Sequence, residues 1–221
     1  MANNIPVIAI DGPSASGKGT VAQIVAEKLG FHYLDSGALY RIVALAAFER
    51  GIDWQAESEI AKLVAKLNIK FEHGEIFLAQ QNVSEKIRTE QMGQGASKVA
   101  AHPQVRLALI DLQHSFRQAP GLVADGRDMA TVIFPDARTK IFLTASAQVR
   151  AERRYQQLIS KGLAADYSAI LKDLQDRDER DSQRAVAPLQ QAPDAELVET
   201  SQLNIEQAVS KVLEAANSKQ S

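Results

Sequence analysis

Val7-Ile8-Ala9-Ile10-Asp11-Gly12-Pro13-Ser14-Ala15-Ser16-Gly17-Lys18-Gly19-Thr20 is the stretch on which the reading of this sequence turns. Its first four residues are an unbroken apolar run, the pattern of a strand covered on both faces in a parallel sheet. Asp11 to Gly19 reads as a loop. Val21, Ile24, Val25 and Leu29 then recur at helical spacing, and Gly30 ends the pattern. Strand, glycine-rich loop and helix in that order put Gly12-x4-Gly17-Lys18 in the context of a phosphate-binding loop. The glycines let backbone amides converge on one anion, the helix N-terminus adds positive potential, and Lys18 reaches the β and γ phosphates. One departure matters: a serine or threonine ordinarily follows the lysine to meet Mg²⁺, but here Gly19 stands there and Thr20 comes next. The whole loop, Gly12, Pro13, Ser14, Ala15, Ser16, Gly17, Lys18, Gly19 and Thr20, is expected to bind the phosphates of ATP or GTP. The motif alone does not separate a kinase from a switch or a motor. A guanine-reading Asn-Lys-x-Asp is absent, since none of the asparagines at 3, 4, 68, 82, 204 and 217 begins one.

Outward from this stretch, strand and helix signals alternate. Phe31 to Leu34, Leu122 to Ala124, Ile141 to Leu143 and Glu196 to Glu199 read as strands. Tyr40 to Arg50 and Ile205 to Ala215 read as helices, the first ended by Gly51. The recurrence predicts an α/β fold with a doubly wound parallel sheet. Two regions break it. Residues 69–83 carry Gly74 between two strand-like runs and predict an antiparallel hairpin, placed in an insertion of about 60–90. Residues 153–167 are polar around Gly162 and predict a helical hairpin or a short lid. The chain reads as a single domain over 1–221, with a frayed tail from Asn217 to Ser221.

Composition narrows the class. The chain has 221 residues, no cysteine and a net charge of −2. Disulfides and thiolate metal sites are excluded, and a cytoplasmic protein is expected. Nothing resembles a signal peptide or a membrane span. With no global positive charge and few aromatics, neither nucleic acid nor a membrane is an expected partner. Eight of the 13 arginines nevertheless lie between Arg127 and Arg184, which suggests a local site for a compact anion.

Three segments could form such a site. Ser36 and Gly37 precede the helix expected from Tyr40, so a phosphate could sit at its N-terminus with Arg41 forking onto the same oxygens; a plain helix cap at Ser36 is the alternative. Asp125-Gly126-Arg127-Asp128 follows a strand directly, where open α/β sheets bind ligands, though Asp125 also suits a turn. On a helix, Arg177, Arg180 and Arg184 share a face with Asp181. No apolar residue lies between Leu174 and Ala185, so that face projects either into a cleft or into solvent.

Taken together, IDGPSASGKGT (10–20), LDSGALYR (34–41), ASKVAAHPQVR (96–106), ADGRDMATVIFPDA (124–137), KIFLTA (140–145) and RDERDSQRAVAPL (177–189) resemble the bacterial cytidylate kinases over nearly the full length. The resemblance implies a P-loop core, a small antiparallel monophosphate-binding insertion and a short lid. It implies transfer of the ATP γ phosphate to CMP or dCMP, and a monomer is expected. Lys18, Arg127 and Arg184 would be catalytic. Ser36, Arg41, Arg127 and Arg184 would hold the acceptor phosphate, and Ser97, Arg106 and Asp128 would read the cytosine. Arg177 and Asp181 would contact the sugar. Arg153, Arg154 and Arg180, with Arg150, would lie on the lid or ATP side. Mg²⁺ would be held by phosphates and water, with Thr20 the alternative protein ligand. Ala130 departs from the family's usual glycine. A kinase for UMP, AMP or shikimate, or a non-catalytic nucleotide switch, would share the P-loop but not the second anion site.

Overall fold

The computed structural model describes residues 5–72 and 75–218. In chain order the elements are β1 (Val7–Asp11), α1 (Lys18–Leu29), β2 (His32–Asp35), α2 (Ser36–Glu49), α3 (Glu57–Val64), β3 (Ile69–Glu72), β4 (Glu75–Leu78) and β5 (Gln81–Asn82). There follow α4 (Glu90–Val99), α5 (Pro103–Ser115), β6 (Leu122–Gly126), β7 (Thr139–Thr144), α6 (Ala147–Ser160), α7 (Tyr167–Ser182), β8 (Glu196–Glu199) and α8 (Ile205–Ser218). They fall into two compact units, Met1–Asp35 with Ser115–Ser221, and Ser36–His114.

The first unit is built on a five-stranded sheet in the order β2-β6-β1-β7-β8. Every pairing in it is parallel. All five residues of β1 are buried, as its continuous apolar run requires. Ile8 and Ile10 join Val21, Val25, Val123, Ile141, Leu143, Val209 and Val212 in one core cluster. The alternate residues Val7 and Ala9 are equally buried, so both faces of the strand are covered. Each such aliphatic side chain contributes on the order of 1.5–3 kcal/mol. Gly30 ends α1 in the left-handed conformation, with φ 64, and its N–H bonds back to Ala26 and Glu27. Register sets the position of the site. Asp11 lies opposite Gly126 and Asp35 opposite Asp125, so three strands deliver their carboxyl ends together.

The second unit carries α2 to α4, most of α5 and a separate antiparallel sheet in the order β3-β4-β5. Trp54 donates from its indole N–H to Ala44 O at 3.0 Å. Its ring covers Gly95, where a Cβ would stand only 2.6 Å from the indole.

Several expectations shift. Helix α2 begins at Ser36, not Tyr40, because residues 36–39 are already helical and mostly buried. Asp11 belongs to β1 rather than to the loop. The hairpin gains a third strand: β5 turns back on β4, with Phe77 opposite Asn82. The turn between them uses Ala79 and Gln80 at positive φ, without the Asn-Gly signal that normally announces it. Gly74 lies outside the described residues. The expected insertion of about 60–90 sits inside the larger unit Ser36–His114. Residues 153–167 form the end of α6, a short link and the start of α7. Asn217 and Ser218 are helical in α8 rather than frayed, and residues 219–221 lie outside the described residues. No helix among the described residues is long and apolar enough to cross a membrane.

Asp11 fixes the segment that leaves β6. Its Oδ1 accepts from the Met129 N–H and its Oδ2 from the Ala130 N–H, each at 2.8 Å. These amides open a single π-type turn, Met129–Ile133, closed by Phe134 N–H to Met129 O at 2.7 Å. Such turns recur at functional sites. Burial pushes the Asp11 carboxyl up to about 7; the amides of Ala130 and Met129 oppose this, Asp128 reinforces it and Arg127 opposes it.

These constraints can be tested at Gly12 and at Asp11. A Cβ at Gly12 would lie 2.0 Å from Leu143 O, a backbone atom that cannot swing aside. Gly12→Ala is expected to cost about 3 kcal/mol or more, lowering the thermal midpoint by roughly 6–12 °C; an unchanged midpoint would refute the close approach. The folded Asp11 carboxyl keeps its proton up to about 7, against an ordinary value of 3.8. The native state therefore binds more protons between those values, and stability falls as pH rises through that window. Thermal unfolding across it should show this decline, with a flatter profile for Asp11→Asn.

Candidate active site

The P-loop runs from the end of β1 into α1. Ala15 takes φ 58 and Gly17 φ 90, which turns successive amides toward one side. Helix α1 opens with no side-chain cap, so an anion is the natural partner for its first N–H groups. Lys18 is largely buried, its Nζ 3.4 Å from Asp125 Oδ1. Tyr33 donates its hydroxyl to Asp125 Oδ2 at 3.1 Å. Burial lowers the Lys18 pKa and Arg127 lowers it further, against the opposing pull of Asp125 and Asp35. Asp125 is thus a strand residue of β6 and the counter-ion of Lys18, not a turn residue.

A cleft of about 1000 Å³ opens beside this loop. Residues 15–21, Arg153, Arg154, Thr200 and Ile205 are among those that line it. Arg153 holds its walls together. It donates to Ser16 O at 3.2 Å, to Thr200 Oγ1 at 3.2 Å and to Thr200 O at 2.6 Å. Arg154 reaches Gln157 Oε1 at 2.8 Å. Arg180 is exposed on α7, and Thr20 is exposed at the cleft.

The same unit gathers a second group. Arg127 donates from Nε to Asp181 Oδ2 at 2.8 Å and from Nη2 to Ser14 Oγ at 2.7 Å. Arg177 and Asp181 are buried on α7, but Arg180 is exposed and Arg184, also buried, lies beyond the helix end at Ser182, so the expected shared face of Arg177, Arg180 and Arg184 does not form. Arg184 donates to Asp181 O at 3.3 Å, and Leu189 N–H bonds the same oxygen at 2.7 Å. Burial pushes the Asp181 carboxyl up, but Arg127 and Arg184, with Arg177, outweigh it and hold the pKa below normal. Burial likewise works against the Arg127 charge, and Asp181 outweighs it. Asp128 is buried at the head of the π-type turn. The Ala130 methyl is buried while its amide serves Asp11, so the departure from glycine leaves that bond intact.

In the second unit Ser36 donates to Gln113 Oε1 at 2.7 Å. Arg41 donates from Nη1 to Ile87 O at 2.8 Å and Thr89 O at 3.1 Å. It is therefore anchored, not a loose surface side chain. Ser97 is buried on α4. Arg106 is buried, donating to Ala100 O at 3.2 Å with its guanidinium 5.6 Å from the Tyr40 ring centre.

Four features escaped the sequence reading. Asp11 was legible only as a loop residue. Thr200 stands just past β8, and its position beyond a strand's carboxyl end was a usable signal. Gln113 and the pair Arg150–Asp178 gave none, because their partners are distant in sequence. Among the described residues no group of three or more His, Cys, Asp or Glu side chains could hold a metal ion.

Comparisons with known proteins identify the family. The cytidylate kinase family's sequence profile matches residues 8–218. The cytidylate kinase of Polynucleobacter asymbioticus is 63% identical over 210 residues, covering 95% of this chain and 96% of that one. The cytidylate kinase of Chromobacterium violaceum is 57% identical over 216 residues, covering 98% and 97%. In fold, an uncharacterized protein from Eubacterium ventriosum is similar with a TM-score of 0.55 at 11% identity, covering 96% of this chain and 99% of that one. The sequence match spans almost every residue of both relatives, and the chain belongs to the cytidylate kinase family.

Proposed function

We propose that this chain transfers the γ phosphate of ATP to CMP and dCMP, giving CDP and dCDP, as a cytoplasmic monomer. One observation carries the reading most: the buried Asp181 feels three arginines, Arg127, Arg184 and Arg177, and Arg127 also touches P-loop Ser14. A nucleotide switch has no need of that second cluster. Family membership supports the acceptor, as the Polynucleobacter and Chromobacterium relatives are both cytidylate kinases.

The donor phosphates bind residues 12–20, with Arg153, Arg154 and Arg180 on the ATP side. Ser36, Arg41, Arg127 and Arg184 are the proposed acceptor-phosphate ligands, on the strength of family membership. Ser97, Arg106 and Asp128 read the base, and Arg177 and Asp181 the sugar. Asp128 accepts from the exocyclic amine of cytosine and repels the carbonyl that uracil carries there. An acceptor phosphate oxygen bonds to the γ phosphorus while the bond to the β-phosphate oxygen breaks, and ADP leaves. The acceptor is already ionised near neutral pH, so no general base is required. Lys18 and the arginines stabilise the charge that spreads over the transferring group. The segment of about 60–90 serves as the monophosphate-binding insertion and that of about 153–167 as a lid, within a single kinase domain.

The residues present fit a hydrated Mg²⁺. Position 19 has no side chain, and a Cβ there would come within 3.1 Å of Asp125 Oδ2 and 3.6 Å of Tyr33 OH. Asp125, beside Lys18 at this position, and the exposed Thr20 would hold such an ion through its waters. When bound, such an ion would neutralise charge on the ATP phosphates.

A coupled assay with ATP and each nucleoside monophosphate tests the reading, CMP and dCMP being the expected best acceptors. Best activity on UMP or AMP would overturn the base assignment. Lys18→Ala should lower kcat by about 100-fold or more while the protein stays folded. Near-normal turnover would sink the P-loop assignment. Asp128→Ala should cut discrimination of CMP over UMP by roughly 10- to 100-fold.

A further inference from the structure

We propose that Arg150 is a positioning residue that sets the acceptor-phosphate arginine, Arg127, through the P-loop residue Ser14. The inference rests on the proposed assignment of Arg127 to the acceptor phosphate. Arg150 lies in the first turn of α6 and is only 4% exposed. Its guanidinium is spent inside the protein. Nε donates to Ala145 O at 2.9 Å, Nη1 to Ser14 O at 3.1 Å, and Nη1 and Nη2 together fork onto Asp178. Its neighbours Arg153 and Arg154 line the cleft beside the P-loop; the bonds of Arg150 run elsewhere. It is therefore not an ATP ligand of the same kind.

Ser14 is the point where two arginines meet. Arg150 grips its carbonyl oxygen, and Arg127 donates to its hydroxyl at 2.7 Å. The far ends of both arginines return to one helix, Arg150 to Asp178 and Arg127 to Asp181. Asp178 and Asp181 are three residues apart on α7, so they project from one face. The result is a closed ring: Ser14 carbonyl, Arg150, Asp178, one turn of α7, Asp181, Arg127, Ser14 hydroxyl. The P-loop cannot shift at Ser14 without moving Arg127, nor can α7 shift without pulling on both. Only a planar fork can bind Asp178, Ala145 O and Ser14 O at once, which a lysine ammonium cannot do. Loss of Arg150 frees the Ser14 peptide and blurs the direction in which Arg127 points.

The competing possibility is a buried ion pair that stabilises the fold and nothing else. Arg150→Lys separates the two. Expected are a fall in kcat of about 10- to 100-fold and a raised KM for CMP. Affinity for a non-hydrolysable ATP analogue without acceptor should stay within about threefold of wild type. Ser14→Ala should lower kcat/KM for CMP in the same direction. The double variant Ser14→Ala with Arg150→Lys should cost little more than the worse single change, because both break one linkage. A lowered melting temperature with normal kcat and normal KM for CMP per folded molecule would overturn the proposal. So would strictly additive losses, or a loss of ATP-analogue affinity as large as the loss in kcat/KM for CMP. Asp178→Asn, at a partly exposed carboxylate, carries the same test should Arg150→Lys fail to fold. Failure of the unaltered chain to phosphorylate any nucleoside monophosphate is a separate outcome, which would overturn the kinase reading on which this inference stands.

Discussion

The parallel pairing of β1 with β6, closed at its end by the grip of Asp11 on two amides, is the constraint on which the first unit depends. Register alone brings Asp11 opposite Gly126. The carboxylate then holds Met129 and Ala130 at 2.8 Å, so the P-loop leaves β1 from the point to which the Arg127–Asp128 segment is tied. Lys18 and Arg127 are placed by one short piece of sheet rather than by two independent loops. That is the advantage of a parallel sheet: its strands end on the same side, and groups far apart in sequence arrive there together.

Charge burial is a consequence of this convergence. Lys18, Arg127, Arg150, Arg177 and Arg184 are cations in or near the interior. A lone buried charge is costly, whereas a paired and hydrogen-bonded one is tolerated. Three of them have an ion-pair partner at the same end of the sheet or on α7: Asp125 for Lys18, Asp181 for Arg127, Asp178 for Arg150. The polar run 173–184 has no apolar residue after Leu174 because its work is electrostatic. It brings alternating acids and bases to a region already fixed by strands.

What the sequence disclosed divides along the same line. The strand Val7–Asp11, the helix after it and the stop at Gly30 were legible because local rules decide them: a continuous apolar run, a 3.6-residue period, a glycine at φ 64. The five core strands were legible for similar reasons. The third strand of the small sheet was not, since Ala79 and Gln80 adopt positive φ without a turn-forming residue type. The start of α2 was misplaced because Ser36 and Gly37 look like a cap, while Ser36 in fact spends its hydroxyl on Gln113. The arginines of the candidate site stand out in the sequence, but the partners the structure gives them do not. Arg127 and Ser14 are 113 positions apart, and Arg150 and Asp178 are 28 apart. No periodicity reaches across such distances.

The pairing pattern also bears on how an anion could be bound so near the interior. Asp181 accepts from Arg127 and lies in the field of Arg184 and Arg177. On the proposed reading, an acceptor phosphate binds by replacing this carboxylate on Arg127. Its net affinity is then the difference between two charge-assisted contacts, not the full strength of one. Such an exchange keeps the arginine oriented at every stage, so little reorganisation remains for the chemical step. The Arg150–Asp178 pair is bound to the Ser14 carbonyl instead of its hydroxyl, which leaves it in place while the other pair trades partners. One pair can therefore be exchangeable because its neighbour, a turn away on the same helix, is not.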